Sequence, residues 1–339
     1  MRWFLAILVA ALLAAGVFVM QQHRCLDAPA SGNGESVVTI ARGQSLADVR
    51  RTLTDEGLLA CPTAWYWYAR YRGLDRQLKA GEFSLNRQLS GYQLLDRLVD
   101  GAVVTHSITF IEGWTAAEAV AAIRGHDAVR QTMPADADAA AWLTAIDAAE
   151  EHWEGLFFPS TYHFERGTSD VEVLARAYQE MQRVLGDVWA NRVEGLPLDS
   201  PYDALILASI IEKETARDDE RRDIAGVFVR RLRKGMRLQT DPTVIYGMGA
   251  AYDGNIRRRD LTTDTPYNTY TRKGLTPTPI ALPGRGSLAA AVDPADGETL
   301  FFVATGLADG SHTFSVTEAE HNAAVKVYLE RLRSGASQP

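Results

Sequence analysis

Two carboxylates two positions apart, Glu212 and Glu214, end an apolar run that reads Ala204-Leu-Ile-Leu-Ala-Ser-Ile-Ile211. The run opens on Ser200-Pro201-Tyr202-Asp203, a helix start with a hydroxyl N-cap, a proline in the first turn and an acid three residues on. At about 100° per residue, Ile206, Leu207, Ile210 and Ile211 share one side, and Glu214 falls near its centre, one turn beyond. Glu212 falls nearly opposite, with Ala208 and Ser209. A glutamate on an apolar stripe must be paired, exposed at the helix end, or protonated. A carboxyl still protonated near neutral pH is what a general acid for cleaving a glycosidic bond requires. The alternative is that Glu214 closes the buried face and pairs with an arginine such as Arg217 or Arg221.

The elements around this helix follow from caps, turns and periodicity. Residues 37–41 (VVTIA) and 81–85 predict strands. Ser45-Leu-Ala-Asp48 and Ser90-Gly-Tyr-Gln93 predict capping boxes for helices running through Leu53 and Val99. Residues 107–111 (SITFI) repeat the strand, and Thr115-Ala-Ala-Glu118 caps a helix through Ile123. Residues 124–150, rich in Ala and Asp, read as helical or loosely packed. Residues 153–162 (WEGLFFPSTY) concentrate aromatics, which suits either a sugar-binding cleft or a core patch. A helix over 171–188 places Val171, Leu174, Ala175, Tyr178 and Met181 on one face, and a helix over 220–234 buries Ile224, Val227, Phe228 and Leu232. Its basic end, residues 230–237 (RRLRKGMR), reads as a solvated face or as a contact for carboxylates or anionic lipid headgroups. Residues 300–304 and 312–316 form a hairpin turned at Asp309-Gly310, and Thr317-Glu-Ala-Glu320 caps a last helix through Arg333. His312 in that hairpin is a candidate cleft residue or a structural one.

Composition bounds the function. The chain has 339 residues, 46% hydrophobic and 23% charged, which suits about two domains. With 43 acidic against 35 basic residues, net −8, it lacks the positive excess that nucleic acid demands, so no nucleic-acid partner is expected. There is no H-E-x-x-H, no other metal-ligand cluster and no Gly-rich phosphate loop, so no metal or cofactor is expected. Residues 3–20 (WFLAILVAALLAAGVFVM) carry no charge. As a helix they span about 27 Å, close to the hydrocarbon core of a bilayer. The run is longer than a signal-peptide core, and the nearest small-x-small site, Ala28-Pro29-Ala30, lies beyond a polar stretch. A single uncleaved anchor with the amino terminus inside is the expectation. Residues 27–36 (DAPASGNGES) read as a flexible linker, and the two cysteines, Cys25 and Cys61, are free to pair or not.

Two resemblances add to this. The opening strand followed by Gly43-x-Ser45-Leu46-x-x-Val49 resembles a LysM module, which binds N-acetylglucosamine polymers. More specifically, IIEKET (210–215), RLQTDPTVIYG (237–247), YNTYT (267–271) and GLTPTPI (274–280), in this order, resemble the endolytic murein transglycosylase (MltG, YceG-like) family over nearly the whole chain. The fold class implied is α+β: an N-terminal transmembrane helix, a small LysM-like α+β module and a mixed α+β catalytic domain. The expected division is 1–22 cytoplasmic tip and anchor, 23–36 linker, 37–105 LysM-like module, and 106–339 catalytic domain. The resemblance implies a lyase of the cytoplasmic (inner) membrane, its catalytic domain in the periplasm, cutting within nascent peptidoglycan glycan strands beside peptidoglycan synthases. The family's single catalytic glutamate falls on the second Glu of EKET, which is Glu214.

Such an enzyme uses no water: the muramic acid C6 hydroxyl attacks C1, so one carboxyl suffices as acid and then base. Asp241 is the candidate if a second is needed, although Asp241-Pro242 also reads as a helix start with Asp241 as N-cap. Gln239, Asn268 and Tyr270 are candidates for hydrogen bonds to N-acetyl groups or sugar hydroxyls. Tyr162, Tyr246 and Tyr267 are candidates for stacking on sugar rings. Each of these six also reads as an ordinary buried side chain. Two rivals stay open: a water-using hydrolase of the same polymer, with Asp241 or Glu212 as base, and a non-catalytic wall-binding scaffold.

Overall fold

The computed structural model describes residues 2–30, 34–101 and 103–335. The chain is mixed α+β and separates into two compact units, residues 1–106 with 163–168, and 107–162 with 169–339.

The first unit opens on α1 (Arg2–Asp27). Every residue over 3–20 is exposed, and the helix is long and apolar enough to cross a membrane. It does not stop where its apolar run stops. It continues through Asp27, Leu26 is buried in the core of the unit, and Cys25 is disulfide-bonded to Cys61 with the two Cα atoms 6.0 Å apart. Both ends of the expected linker therefore have regular structure, since α1 runs through Asp27 and β1 (Glu35–Ile40) begins soon after; residues 31–33 lie outside the described residues. Then come α2 (Leu46–Asp55), α3 (Pro62–Tyr71), β2 (Gly81–Asn86) and α4 (Gly91–Asp100). Ser45 and Ser90 close capping boxes on α2 and α4, which satisfies backbone donors at both helix starts. β1 and β2 pair antiparallel, Val38 opposite Phe83 and Ile40 opposite Gly81. Alternation along the strands sends Val38, Ile40, Phe83 and Leu85 into a core with Leu53, Trp65, Leu94 and Leu98. Gly91 lets α1 approach α4: a Cβ there would sit 3.1 Å from Leu26 Cδ2 and 3.2 Å from its carbonyl oxygen.

Next are β3 (Thr105–Thr109), α5 (Ala116–Arg124), α6 (Ala139–Ala145) and β4 (Thr161–Glu165), with β3 paired to β4. Between α5 and the aromatic segment the regular structure is α6 alone, capped by Asp138. α7 (Asp170–Ala190) starts at a Ser169–Glu172 capping box. Its buried stripe is Val173, Leu174, Ala177, Met181, Val184 and Leu185. The expected stripe holds only at Leu174 and Met181; Val171, Ala175 and Tyr178 are half-exposed.

α8 (Pro201–Glu214) sits at the centre of the second unit, packed against α7, α9 (Arg221–Arg233), α10 (Asp241–Met248) and, after the short α11 (Arg258–Thr262), α12 (Arg285–Val292). Every residue over 204–211 is buried, Ala208 and Ser209 as fully as Ile210 and Ile211. The face opposite the isoleucines is therefore packed as well, its small residues admitting neighbouring helices. β5 (Phe301–Ala304) and β6 (His312–Ser315) form an antiparallel hairpin, and α13 (Glu318–Arg333) packs on it.

The disulfide closes a separation of 36 residues. Loop-closure entropy for such a ring amounts to about 3–4 kcal/mol. Cys25→Ser with Cys61→Ser is expected to lower the unfolding free energy of the first unit by about 2–4 kcal/mol, measured by denaturant titration. No change would mean that α1 holds its place by packing alone.

Candidate active site

α8 ends at Glu214, and the chain turns extended at Thr215. The last side chain of a helix buried from Ala204 to Ile211 is thereby delivered to the wall of a cavity of about 540 Å³. Glu214, Gln239, Asp241 and Tyr270 line one part of it; Arg231, Phe301, Phe302, His312, Glu318 and His321 line another. The second group comes from the end of α9, from the hairpin, and from the first turns of α13.

Burial pushes the Glu214 carboxyl up to about 7, and the nearby charge of Asp241 pushes the same way. The Thr240 hydroxyl, which donates to Glu214 Oε1, and the Arg231 guanidinium pull it back. Thr240 explains why that bond is available. It is the N-cap of α10, yet its side chain makes no capping bond, because the hydroxyl faces Glu214 instead. Asp241 is thus the first helical residue and not the cap, correcting the expectation. The arginine alternative for Glu214 is not what the structure holds. Arg217 pairs with Asp219 at 2.6 Å, and Arg221 with Asp218 and with Glu112 at 3.7 Å.

Glu212 has a different task. Its Oε2 accepts from the Gly284 backbone at 2.9 Å and from the Ser287 hydroxyl at 2.7 Å, and Arg221 lies 3.8 Å from Oε1. It supplies the acceptor that α12 lacks, since Gly284 has no side chain to cap it, and a carboxylate at a helix N-terminus is favourable.

The reading of residues 230–237 as a solvated face holds at Arg233, Lys234 and Arg237, which are exposed, and fails at Arg231. It is buried, donating through Nε to Leu300 O at 2.6 Å and through Nη1 to Leu238 O at 2.8 Å, with its guanidinium 5.1 Å from the Phe301 ring centre. Arg230 likewise donates to Thr299 O at 2.6 Å and Ala295 O at 2.9 Å. These two side chains fix the hairpin to α9.

Of the eight sequence candidates, four meet at the cavity. Besides Glu214, Asp241 accepts from the Tyr270 hydroxyl at 2.6 Å, and burial raises that phenol. Gln239 stands exposed at the rim with φ of 54°, a left-handed backbone that non-glycine residues rarely adopt. The other four are elsewhere. Asn268 is 1% exposed, its amide donating to Thr263 O at 2.7 Å and accepting from Tyr270 N at 2.8 Å; it shapes the loop that presents Tyr270. Tyr162 packs on Phe110 with its hydroxyl bonded to Phe158 O. Tyr246 and Tyr267 meet edge to face at 5.0 Å. Their hydroxyls bond Glu154 at 3.1 Å and Thr278 at 2.9 Å.

Sequence reasoning passed over Thr240, Arg231 and Glu154. Glu154 is 4% exposed, and burial raises its carboxyl; it accepts from Ala116 N at the start of α5 at 2.8 Å. Adjacent Gly155 (φ +79°) is needed because a Cβ would lie 2.5 Å from Pro279. All three sit inside segments that the sequence marks out, Thr240 in 237–247, Arg231 in the basic run 230–237 and Glu154 in the aromatic run 153–162, but nothing local assigns them these partners. Among the described residues no group of three or more His, Cys, Asp and Glu side chains converges as metal ligands would.

The raised carboxyl makes a stability prediction. Folded Glu214 holds its proton up to about 7 against an ordinary 4.5, so the native state binds a proton that the unfolded chain releases between those values. Stability therefore falls as pH rises through that window and stays reduced above it. Glu214→Gln is expected to be more stable than the unsubstituted chain by about 1–3 kcal/mol at alkaline pH, and equal to it well below the window. Urea unfolding at the two pH extremes measures this; an equal difference at both would contradict the burial of the charge.

The family model described as YceG-like matches residues 38–327. An endolytic murein transglycosylase of Bacillus subtilis (strain 168) is 29% identical, covering 86% of this chain and 84% of that protein. An endolytic murein transglycosylase of Streptococcus pneumoniae (serotype 2, strain D39) is 26% identical over 92% of this chain; the chain spans 62% of that longer relative. The crystal structure of a yceG-like protein from Listeria monocytogenes matches with a TM-score of 0.52 and 29% identity, covering 86% of this chain and 99% of that one. With most of its length inside that family model, the chain belongs to the YceG-like family.

Proposed function

We propose that the second unit is a lytic transglycosylase that cuts MurNAc–GlcNAc β-1,4 bonds within peptidoglycan glycan strands, with Glu214 as its single acid and base. The observation that carries this reading is a carboxyl held protonated to about 7 on the wall of an open polar cavity, in a chain whose relatives are named endolytic murein transglycosylases. Protonated Glu214 gives its proton to the glycosidic oxygen as the C1–O bond breaks. The resulting carboxylate takes the proton of the muramic acid C6 hydroxyl as O6 bonds to C1. The 1,6-anhydro ring closes, the glutamate recovers its proton, and no water is consumed. Thr240 steadies the carboxylate between the two steps, while Asp241 keeps its pKa from falling. Gln239, Asp241 and Tyr270 are placed to meet sugar hydroxyls and acetamido groups. Asn268 supports the wall through the loop that presents Tyr270, while Tyr162, Tyr246 and Tyr267 pack away from the cavity lining.

The remaining roles follow the same reading. α1 anchors the chain in the cytoplasmic membrane, with the rest in the periplasm, near the synthases that extrude new strands. Residues 37–105 act as a LysM-like module. Their β1-α2-α3-β2 order with an antiparallel strand pair supports that assignment. In division by role, residues 1–22 are the tip and anchor, 23–36 the connector and 106–339 the catalytic domain.

The test is product analysis by mass spectrometry on murein treated with the full chain and with Glu214→Gln. The expected products carry anhydro ends, and the variant loses about 10²–10⁴-fold in rate. Products heavier by one water would favour a hydrolase using Asp241, which rims the same cavity. Full activity in the variant would refute the acid assignment, and an inactive parent that still binds murein would favour a scaffold. A second variant reads the tuning. Thr240→Val removes the hydroxyl that lowers the Glu214 pKa, so the alkaline limb of the rate–pH profile is expected to move upward. An unmoved limb would mean that another group sets it.

A further inference from the structure

Where α1 leaves its apolar run, the first unit presents aromatic rings and arginines at its surface, Tyr68 and Tyr92 with one side on the core and Trp67 and Tyr71 outside it. α3 buries Trp65 and Ala69, while Trp67 is 64% and Tyr71 88% exposed. Four residues apart, these two rings lie on one helical face, with exposed Arg70 beside them. Large rings standing together in water mark an interaction surface rather than ordinary solvent-facing helix. Residues 61–73 (CPTAWYWYARYRG) contain two arginines and no carboxylate. Next to this face, Tyr68, Tyr71 and Arg72 join Tyr92 of α4 and His23 of α1 around a shallow cavity of about 460 Å³. His23 is hydrogen-bonded to the Tyr92 hydroxyl. Arg72 lies over the Tyr68 ring at 5.7 Å and donates to its hydroxyl at 3.0 Å. Tyr68 and Tyr92 meet edge to face at 4.8 Å.

Depth follows from helix arithmetic. His23 lies three residues past Met20, the last of the uncharged run, so about 4.5 Å further along the axis. The headgroup layer of a bilayer is about 5–7 Å thick on each side. The Cys25–Cys61 bond and the His23–Tyr92 hydrogen bond tie α3 and α4 to α1 at that height. Amphipathic rings favour this layer, and guanidinium groups pair with phosphate.

We propose that the face made by Trp67, Arg70, Tyr71 and the His23–Tyr68–Arg72–Tyr92 cavity docks on the phospholipid headgroup layer of the leaflet from which α1 emerges. This rests on reading α1 as a membrane span. The rings lie at the interface, and Arg70 and Arg72 face lipid phosphates. The first unit is then held flat against the bilayer by two attachments, one spanning and one lateral, instead of pivoting on a single helix.

Full-length protein reconstituted in vesicles of phosphatidylethanolamine and phosphatidylglycerol tests this. Flotation with the vesicles after a carbonate wash checks the span, and failure to float would overturn the span and the docking together. In floating protein, the emission of Trp67 is taken as the difference between the unsubstituted chain and Trp67→Phe. Lipids brominated near the headgroup are expected to quench that emission by about twofold or more, as for an interfacial ring, while aqueous acrylamide quenches it little. Arg70→Gln with Arg72→Gln, which leaves Trp67 in place, is expected to weaken the lipid quenching. Trp67 quenched by acrylamide and not by brominated lipid would overturn the docking and leave the span standing.

Discussion

A half-buried carboxyl group on a cavity wall, with a threonine hydroxyl to meet it, sets the demands on everything around Glu214. In bulk solvent the group would ionise well below neutral pH. Here burial holds the proton to about 7, because an ion in the low-dielectric interior loses its hydration. That position is reached because α7, α9, α10 and α12 pack around α8 and bury it from Ala204 to Ile211, so the helix leaves its packed stretch one turn before its final residue meets the cavity. The enclosure in turn depends on polar fastenings that reach out from α8 itself. Ser209 accepts from Ile280 N at 2.9 Å and ties down the Pro-rich loop, and Glu212 holds the start of α12.

The cavity wall opposite is assembled by arginine. Arg231 binds backbone carbonyls on both sides of it, at Leu238 and Leu300, and carries a positive charge that keeps Glu214 from rising further. One residue thus joins packing to electrostatics. A change there would move the hairpin and the proton affinity together. Stability and activity are also opposed at Glu214, since the unfavourable burial that weakens the fold above neutral pH is what keeps the acid charged with its proton.

Much of this was legible in the sequence, for identifiable reasons. The capping boxes at Ser45, Ser90, Thr115, Ser200 and Thr317 are local chemistry, and all five cap helices. Glu214 stood out because its position on the helix conflicted with its charge. What sequence could not show depended on tertiary neighbours. Helical periodicity places Ala208 and Ser209 opposite the isoleucines without saying what covers them, and the covering comes from α12 and its neighbours. The run at 230–237 looked solvated because charge normally is; two of its arginines found carbonyls 65–69 positions away. Asn268 and Tyr270 are two apart in sequence, yet one faces the loop interior and the other the cavity, which no spacing rule distinguishes. The Thr240 hydroxyl was hidden by the more familiar reading of Asp241 as a cap.

Direct titration of the Glu214 carboxyl tests the central claim most closely. Protein labelled with ¹³C at glutamate side-chain carboxyls, compared with the Glu214→Gln variant to assign the resonance, gives the midpoint without reliance on activity. A midpoint near 7 is the expected result. A midpoint near 4.5, the ordinary glutamate value, would contradict it, for the carboxyl would then be ionised at neutral pH and unable to serve as the acid.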